Sequence, residues 1–397
     1  MDASVLNLLR DPAGIPFYAV VFQGLYILTW AFHALFVFLS LGAMGLSIYG
    51  TFRKKTNENW KILTGHLLQT GKISVSLLIV LGVAPLLFTQ VIYDPNWYTV
   101  NALSGLWVVI FIYSLLVGYS IYYWYYYANK KDSSSSSFIG IISFGFLIFC
   151  GLIMHVFSVQ AIQPDMWMQW YAPNGVVDTS GTTFNPEMSR FLFIILLSIP
   201  VVGLFLQNYG DFIKTNEKFT ENFKKFTRDL GTKIATFGLI LSLGLFVYWM
   251  SKINMLSDIY AIIIYVSFTL MVFLTKNLKN SYYTTAFAII LILLISGFRE
   301  YLRYRLMADI GYDIYDYPVS IEWSSITMFV LTFVSFGAVG VSFIATLAWK
   351  VGKSKGVFDA SKDKTVSLMA NMLLWILSLW CVVYFAWGFF TLFKNSI

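Results

Sequence analysis

The amino-acid sequence predicts an all-α membrane protein, a transmembrane bundle of about ten helices with both termini outside the cytoplasm. Of the 397 residues, 58% are hydrophobic and 12% are charged, whereas soluble domains carry about 25% charged residues. Apolar stretches of roughly 20 residues, long enough to cross a bilayer as a helix, recur along the chain. Lysine and arginine are concentrated in every second connecting loop. We therefore expect a single integral membrane domain over residues 1–397.

Ten stretches are predicted to span the membrane. They occupy residues 17–52, 61–93, 102–128, 137–161, 188–208, 231–251, 257–275, 281–304, 323–350 and 366–393. The first of them is too long for the core of a cleavable signal peptide, so residues 1–16 are expected to be an outer lead-in. Cys150 and Cys381 fall inside apolar stretches and are expected to be reduced, packing cysteines. No CxxCH motif occurs, which excludes covalently attached c-type haem.

Loop charge predicts the orientation. The basic residues of the odd-numbered loops are Arg53, Lys54, Lys55, Lys61, Lys130, Lys131, Lys214, Lys218, Lys224, Lys225, Arg228, Lys233, Lys276, Lys279, Lys350, Lys353, Lys355, Lys362 and Lys364. Because cytoplasmic loops carry the excess of lysine and arginine, these loops are predicted to be cytoplasmic. The same bias explains the net charge of +7, so nucleic-acid binding, which would need a basic face on a soluble module, is not expected.

Three connecting segments have distinctive compositions. Residues 209–230 place phenylalanines among lysines, a pattern typical of an amphipathic connector on the cytoplasmic surface, with a solvated connector as the alternative. Residues 162–187 and 305–322 are predicted to be outer loops. Trp167 and Trp170, in the first of these loops, are expected to anchor at the lipid headgroups.

His33 and His155 are predicted to lie at one depth. Counted at about 1.5 Å per helical residue, each lies roughly 25 to 29 Å from the inner face. Two neutral imidazoles at one level on facing helices are what a b-type haem needs, so both are candidate ligands of a haem iron. Two unrelated hydrogen-bonded histidines are the alternative.

Arg299 and Arg303 stand one helical turn apart near the outer end of the eighth span, and therefore share a face. Haem carries two propionates, which a pair of guanidiniums would neutralise. An interfacial charge cluster, or buried ion pairs with Glu187 and Glu322, is the competing interpretation.

The second span carries polar residues nearer the inner face. His66 lies roughly 7 Å above the boundary at Lys61, too far from the outer pair to share a haem. Gln69 and Lys72 follow on the same helix, and the three residues suggest a contact with a quinone headgroup or a proton path. The alternative for Lys72 is snorkelling toward the inner surface.

Two stretches of the sequence resemble a known protein family. HALFVFLSLG, from His33 to Gly42, resembles the first-helix motif of cytochrome bd quinol oxidase subunit I, in which the histidine ligates a b-type haem. GVAPLLFTQVIYDPNWYTVN, from Gly82 to Asn101, is similar in pattern to the second helix and outer loop of that family. The sequence resembles still more closely the divergent members of that superfamily that accompany multihaem c-type cytochromes in anaerobic respiratory chains. The resemblance implies quinol-linked electron transfer through haem b, with His33 as a ligand.

Departures from that family limit the expected activity. Phe193 stands where the resemblance leads us to expect a second haem-ligating histidine, and the GRQPW motif is absent. Oxygen reduction is therefore not expected.

We expect a multi-pass subunit of the inner (cytoplasmic) membrane that contacts lipid and carries b-type haem. It would exchange electrons between menaquinone or a similar quinone and an outer partner, such as a periplasmic multihaem c-type cytochrome or another redox subunit. The alternatives are a haem-free quinol-binding anchor of the polysulfide-reductase type and a transporter.

Overall fold

A computed structural model describes residues 3–133, 135–354 and 358–395 of the chain. These residues form helices without any strand, and ten helices among them are long and apolar enough to cross a membrane. The prediction of an all-α transmembrane bundle is confirmed. Lys355, which we counted among the basic residues of the ninth loop, lies outside the described residues.

The helix bounds follow the predicted spans closely. In chain order the helices are α1 Ala3–Leu8, α2 Ala19–Arg53, α3 Glu58–Ile92, α4 Asp94–Leu103, α5 Gly105–Lys130, α6 Ser136–Gln160, α7 Trp167–Tyr171, α8 Met188–Leu196, α9 Ser198–Phe212, α10 Glu221–Lys252, α11 Ile259–Asn277, α12 Ser281–Ala308, α13 Trp323–Thr332, α14 Val341–Lys353 and α15 Lys364–Asn395. A π-helical stretch, Phe333–Gly340, joins α13 to α14.

Several helices begin where the sequence offers a capping side chain. Asn57 accepts the Trp60 amide at the start of α3, and Asp258 and Asn280 do the same for amides at the starts of α11 and α12. Glu187 caps α8. Such caps satisfy amide groups that have no partner within the helix, and they hold each helix start in register.

The internal contacts of the chain divide it into two compact units. Unit 1 comprises Met1–Asp211 and Glu221–Pro318, and unit 2 comprises Phe212–Thr220 and Val319–Ile397. Unit 1 therefore contains every histidine and every candidate site residue named above.

Helix α2 is central in unit 1, where it packs against α3, α6 and α12. Glycine permits the closest helix approaches. A Cβ on Gly42 would clash with the Ser198 carbonyl oxygen, and one on Gly203 would clash with the Ala235 nitrogen. Small residues at such crossings let helices approach closely in a membrane.

Residues 209–230 do not form a separate surface helix, contrary to our expectation. Helix α10 begins at Glu221, so the later part of the segment is the first turns of a long membrane helix. Its phenylalanines pack against α3 and not against lipid. Phe223 is fully buried, and the Phe226 ring lies 5.5 Å from the Trp60 ring. Burial of these rings accounts for the early start of the helix.

One end of unit 1, here called the cap, consists of residues 3–18, 93–104, 161–187 and 309–318. Its apolar core contains Leu6, Ile15, Tyr93, Val100, Leu103, Trp167, Tyr312, Ile314 and Tyr317, and Met307 at the end of α12 packs with them. The prediction that Trp167 anchors at lipid headgroups is wrong. Only 1% of Trp167 is exposed, and its indole N–H donates to the Gln160 carbonyl oxygen at 2.9 Å. The opposite end of unit 1, here called the lysine end, carries loops 54–57 and 278–280.

Unit 2 contains α13, α14 and α15. The Trp380 indole N–H donates to the Thr332 hydroxyl at 2.8 Å, which joins α15 to α13. Lys350 and Asp363 form an ion pair at 2.6 Å across the connection from α14 to α15.

Candidate functional site

His33 lies on α2 and contacts α3. Its Nδ1 is 2.9 Å from the Leu78 carbonyl oxygen. A carbonyl oxygen only accepts, so Nδ1 carries the proton and Nε2 is unprotonated in the neutral ring. The ring rests on Gly82, where a Cβ would come within 2.9 Å of His33 Cε1. Glycine at this position therefore makes room for the imidazole.

His155 lies on α6, is 9% exposed, and contacts the start of α8. Its Nε2 is 2.8 Å from the Glu187 carbonyl oxygen, so Nε2 donates and Nδ1 is unprotonated. The ring packs against Phe191 with centroids 5.4 Å apart. His155 thus has the same kind of backbone anchor as His33, made through the other ring nitrogen.

The two outer histidines contact different helices, since His33 faces α3 and His155 faces α8. In the neutral form of each ring a backbone carbonyl sets the tautomer, and the neutral form is the one in which histidine binds metals.

Arg299 and Arg303 extend from α12 toward the aromatic side chains of α2. The Arg299 guanidinium is 3.9 Å from the Trp30 ring centroid and donates to the Tyr26 hydroxyl at 3.3 Å. Arg303 donates to the same hydroxyl at 3.0 Å and lies 5.0 Å from the Tyr93 ring centroid. These contacts hold both guanidiniums by cation–π attraction and by neutral acceptors.

Arg190 is a buried arginine in the first turn of α8. It is 6% exposed, donates to the Ser158 hydroxyl at 2.8 Å, and lies 5.7 Å from the Trp249 ring centroid. Its signal in the sequence is an arginine at the head of the apolar stretch FLFIILL. Such an intramembrane charge is costly and by default indicates function.

Carboxylates do not balance these arginines. Glu300 lies 3.6 Å from Arg303. The Glu187 carboxylate accepts the backbone amides of Ser189 and Arg190, so it is engaged as the α8 cap. In the described part of the chain, neither the Arg190 nor the Arg299 guanidinium has a carboxylate oxygen within 4.0 Å. The half of unit 1 next to the cap, here called the cap half, contains Arg190, Arg299 and Arg303. It therefore has positive charge at buried and partly buried positions, which an anionic ligand would neutralise.

The polar residues of α3 face different neighbours. The His66 ring lies 5.4 Å from the Tyr209 ring on α9, whereas the Lys72 ammonium is 4.3 Å from the Tyr126 ring centroid on α5. Gln69, between them, is exposed at the surface of the bundle. The three side chains therefore lie against different surroundings.

A chain of hydrogen-bonded hydroxyl groups lies beside Lys72, and we did not predict it from the sequence. The Ser76 and Tyr119 hydroxyls are 3.1 Å apart, and the Tyr119 hydroxyl donates to that of Tyr123 at 3.2 Å. Lys72 and Tyr126 lie next to this chain on the same pair of helices. The tyrosine-rich sequence YSIYYWYYY of α5 was the available signal.

Phe193, at the position where the family resemblance leads us to expect a histidine, is fully buried. Its ring lies 4.9 Å from Phe246, 5.8 Å from Trp249 and 6.3 Å from Phe268. Aromatic packing fills this position, so it offers no ligand for a second haem.

A haem would need fewer side-chain ligands than a bare metal ion. Across residues 3–133, 135–354 and 358–395, no group of three or more histidine, cysteine, aspartate or glutamate side chains is placed to hold a metal ion. A haem supplies its own equatorial nitrogens and needs only axial ligands and partners for its propionates. No family model matches the chain, and no curated protein matches its sequence.

Proposed function

We propose that this chain is an electron-transfer protein of the inner (cytoplasmic) membrane that holds b-type haem in the cap half of unit 1. The observation that carries the proposal is the environment of Arg299. This partly buried guanidinium has no carboxylate oxygen within 4.0 Å among the described residues, and it stacks on Trp30, one helical turn before His33 on α2. In its neutral form each imidazole has one unprotonated ring nitrogen.

The residues have distinct roles in this proposal. His33 and His155 would supply axial nitrogens, and their backbone hydrogen bonds would orient the rings. Arg299 and Arg303 would neutralise the propionates, with Arg190 contributing a further positive charge. The haem supplies one-electron chemistry when bound. Oxygen reduction is not part of the proposal.

The electron donor or acceptor in the membrane would be menaquinone or a similar quinone. Lys72 lies roughly 16 Å along α3 from Lys61, deeper than its side chain reaches by snorkelling. Its ammonium contacts the Tyr126 ring and adjoins the tyrosine hydroxyl chain. The Lys72 ammonium and the tyrosine hydroxyls would donate hydrogen bonds to a quinone carbonyl oxygen. Gln69 is exposed one turn away on α3, and His66 lies closer to the lysine end.

The partner on the outer face would be a periplasmic multihaem c-type cytochrome or another redox subunit. Two arguments support this choice. The family resemblance implies such an assembly, and the loop charges put the cap on the outer side of the membrane.

A haem-free quinol-binding anchor is the second candidate, because the environment of Lys72 needs no haem. A reduced-minus-oxidised absorbance spectrum of the purified chain distinguishes the two, since only a haem protein shows the b-type band.

The ligands are tested by three substitutions. His33→Ala and His155→Ala should each abolish the same low-spin b-haem signal, because the paired ligation needs both rings. His66→Ala, which faces Tyr209, is the matched control and should leave the signal intact. Loss of the signal in only one of the two outer variants would contradict paired ligation.

A further inference from the structure

A cavity of about 390 Å³ lies inside unit 2, between α13 and the C-terminal part of α15. Four aromatic residues of α15 line it, Tyr384, Phe385, Trp387 and Phe389, together with Met328 of α13 and Gly388. Small-molecule sites have volumes of about 300–1,000 Å³ and are lined mainly by apolar and aromatic side chains. The cavity is therefore large enough for a small molecule.

The space is open and its wall is held in place. Apart from its own helix backbone, a Cβ added at Gly388 would have no described heavy atom within 4 Å. The Tyr384 ring stacks on Trp380 with centroids 5.0 Å apart and planes 12° apart, and the Trp380 indole N–H donates to the Thr332 hydroxyl. Tyr384 is thus positioned by contacts that need no ligand.

Two of the lining side chains carry hydrogen-bond donors. Neither the Tyr384 hydroxyl nor the Trp387 indole N–H has an acceptor within hydrogen-bonding distance among the described residues. Both residues lie in a helix long and apolar enough to span the membrane, where a donor without an acceptor is unfavourable. A ligand that fits the cavity therefore brings acceptor oxygens.

The lining also restricts the charge and the shape of the ligand. None of the described residues that line the cavity is charged, so a neutral ligand is favoured. Tyrosine and tryptophan faces are electron-rich and stack well on a flat, electron-poor ring. A saturated acyl chain would fill the space but would give the two donors no acceptor.

We propose that the cavity of unit 2 binds the ring of a quinone, with Tyr384 and Trp387 donating to its carbonyl oxygens. The side chains of Tyr384 and Trp387 are 51% and 47% exposed, so the cavity is open and an isoprenoid tail can extend into the lipid. The inference rests on the proposed function for the class of ligand, but it needs neither the haem nor Lys72.

The depth of the cavity separates it from the Lys72 site. Tyr384 lies roughly 30 Å along α15 from Lys364, which is about the thickness of the hydrocarbon core. Because Lys364 belongs to a loop that is predicted to be cytoplasmic, the cavity lies near the outer boundary of the membrane. The protein would then bind quinone near both of its faces.

The test is photolabelling of the full-length protein in nanodiscs of phosphatidylethanolamine and phosphatidylglycerol with an azido-naphthoquinone. Mass spectrometry of the peptides should find label on residues 384–392, and excess menadione should prevent it. Gly388→Leu fills the cavity and should abolish this label. Gly244→Leu on α10 is the matched control, because a Cβ there also meets open space, and it should keep the label. Label that persists on these residues in Gly388→Leu would overturn the proposal.

A milder variant keeps the proposal testable if Gly388→Leu does not fold. Tyr384→Phe retains the ring and removes only the hydroxyl. The menadione concentration that halves the labelling of residues 384–392 should rise about threefold to tenfold, because a hydrogen bond inside a membrane contributes on that scale. An unchanged concentration would contradict quinone binding through the hydroxyl, as would a co-purified phospholipid that menadione does not displace from the cavity.

The same peptide maps separate the two proposals. A protein labelled neither beside Lys72 nor on residues 384–392 contradicts both quinone sites. Label beside Lys72 alone contradicts this inference and leaves the proposed function standing. Label on residues 384–392 alone supports the inference and contradicts the quinone site at Lys72.

Discussion

The cap half of unit 1 and the half next to the lysine end, here called the lysine half, both contain ionisable side chains inside membrane helices. The two halves arrange these side chains differently. In the cap half, Arg299 and Arg303 share the Tyr26 hydroxyl, and Arg303 also lies beside Glu300. In the lysine half, His66 and Lys72 contact aromatic rings on separate helices. One region is a connected cluster and the other is a pair of separate contacts.

This difference indicates that the two halves are suited to different kinds of ligand. A connected, positively charged cluster is suited to a bound group that carries charge in a fixed position, because its members are held by one another. A single ammonium on a tyrosine-lined helix surface is suited to a ligand that enters from the lipid. This difference is the reason why we propose a haem site in the cap half and a quinone site in the lysine half.

The largest expected effect comes from breaking the cap cluster at Arg303. Arg303→Met would leave the buried Glu300 carboxylate without its ion-pair partner. Removal of one member of a buried pair typically costs about 3–5 kcal/mol of stability. Thermal unfolding of the detergent-solubilised protein measures this loss.

The control for Arg303 lies on the same helix. Arg305, with a side chain 52% exposed, pairs with Asp258 at 3.5 Å. Arg305→Met should cost only about 0.2–1 kcal/mol, as surface pairs do. Equal losses in the two variants would mean that Arg303 is no more embedded than Arg305.

Trp167→Ala tests the core of the cap. The indole is buried and hydrogen-bonded to Gln160, so its removal should leave a cavity and cost about 3–5 kcal/mol. Trp170→Ala, at a half-buried neighbouring position, should cost clearly less in the same unfolding assay. A large loss at Trp170 together with a small one at Trp167 would favour headgroup anchoring.

Lys72→Met tests the lysine half. It should leave the haem spectrum unchanged and lower quinol-dependent haem reduction on the order of tenfold, because a hydrogen bond from a charged donor contributes about 1.5 kcal/mol or more. Lys252→Met is the control, since Lys252 also contacts a tyrosine ring, at 5.4 Å, but on an exposed end of α10. If quinol-dependent haem reduction is unchanged in Lys72→Met, Lys72 has only a packing role.

The smallest effect concerns pH and the cap carboxylate Asp94. Burial raises the pKa of Asp94 above its ordinary value, opposed by a hydrogen bond from Tyr317. The folded state then binds more protons than the unfolded state just above that ordinary value, so stability falls as pH rises through this range. Asp94→Asn should flatten the dependence in unfolding measured against pH. A wild-type stability that rises there would contradict the assignment.

The sequence predicted the helices well and their contacts poorly. Apolar stretches of membrane length are enough to place the ten membrane-spanning segments, because hydrocarbon requires a helix to satisfy its own backbone. A helix that is apolar all round has no stripe that reveals which side meets which neighbour. For that reason the sequence did not show that His66 faces Tyr209 while Lys72 faces Tyr126. The sequence also did not show that Trp167 is buried, because the cap segments that cover it are far apart in the chain.

The most direct test is the haem content of the purified wild-type chain, measured as the pyridine haemochrome. The account predicts non-covalently bound b-type haem that is lost in His33→Ala and in His155→Ala and retained in His66→Ala. A folded wild-type chain purified without any haem, from cells able to make it, would contradict the account.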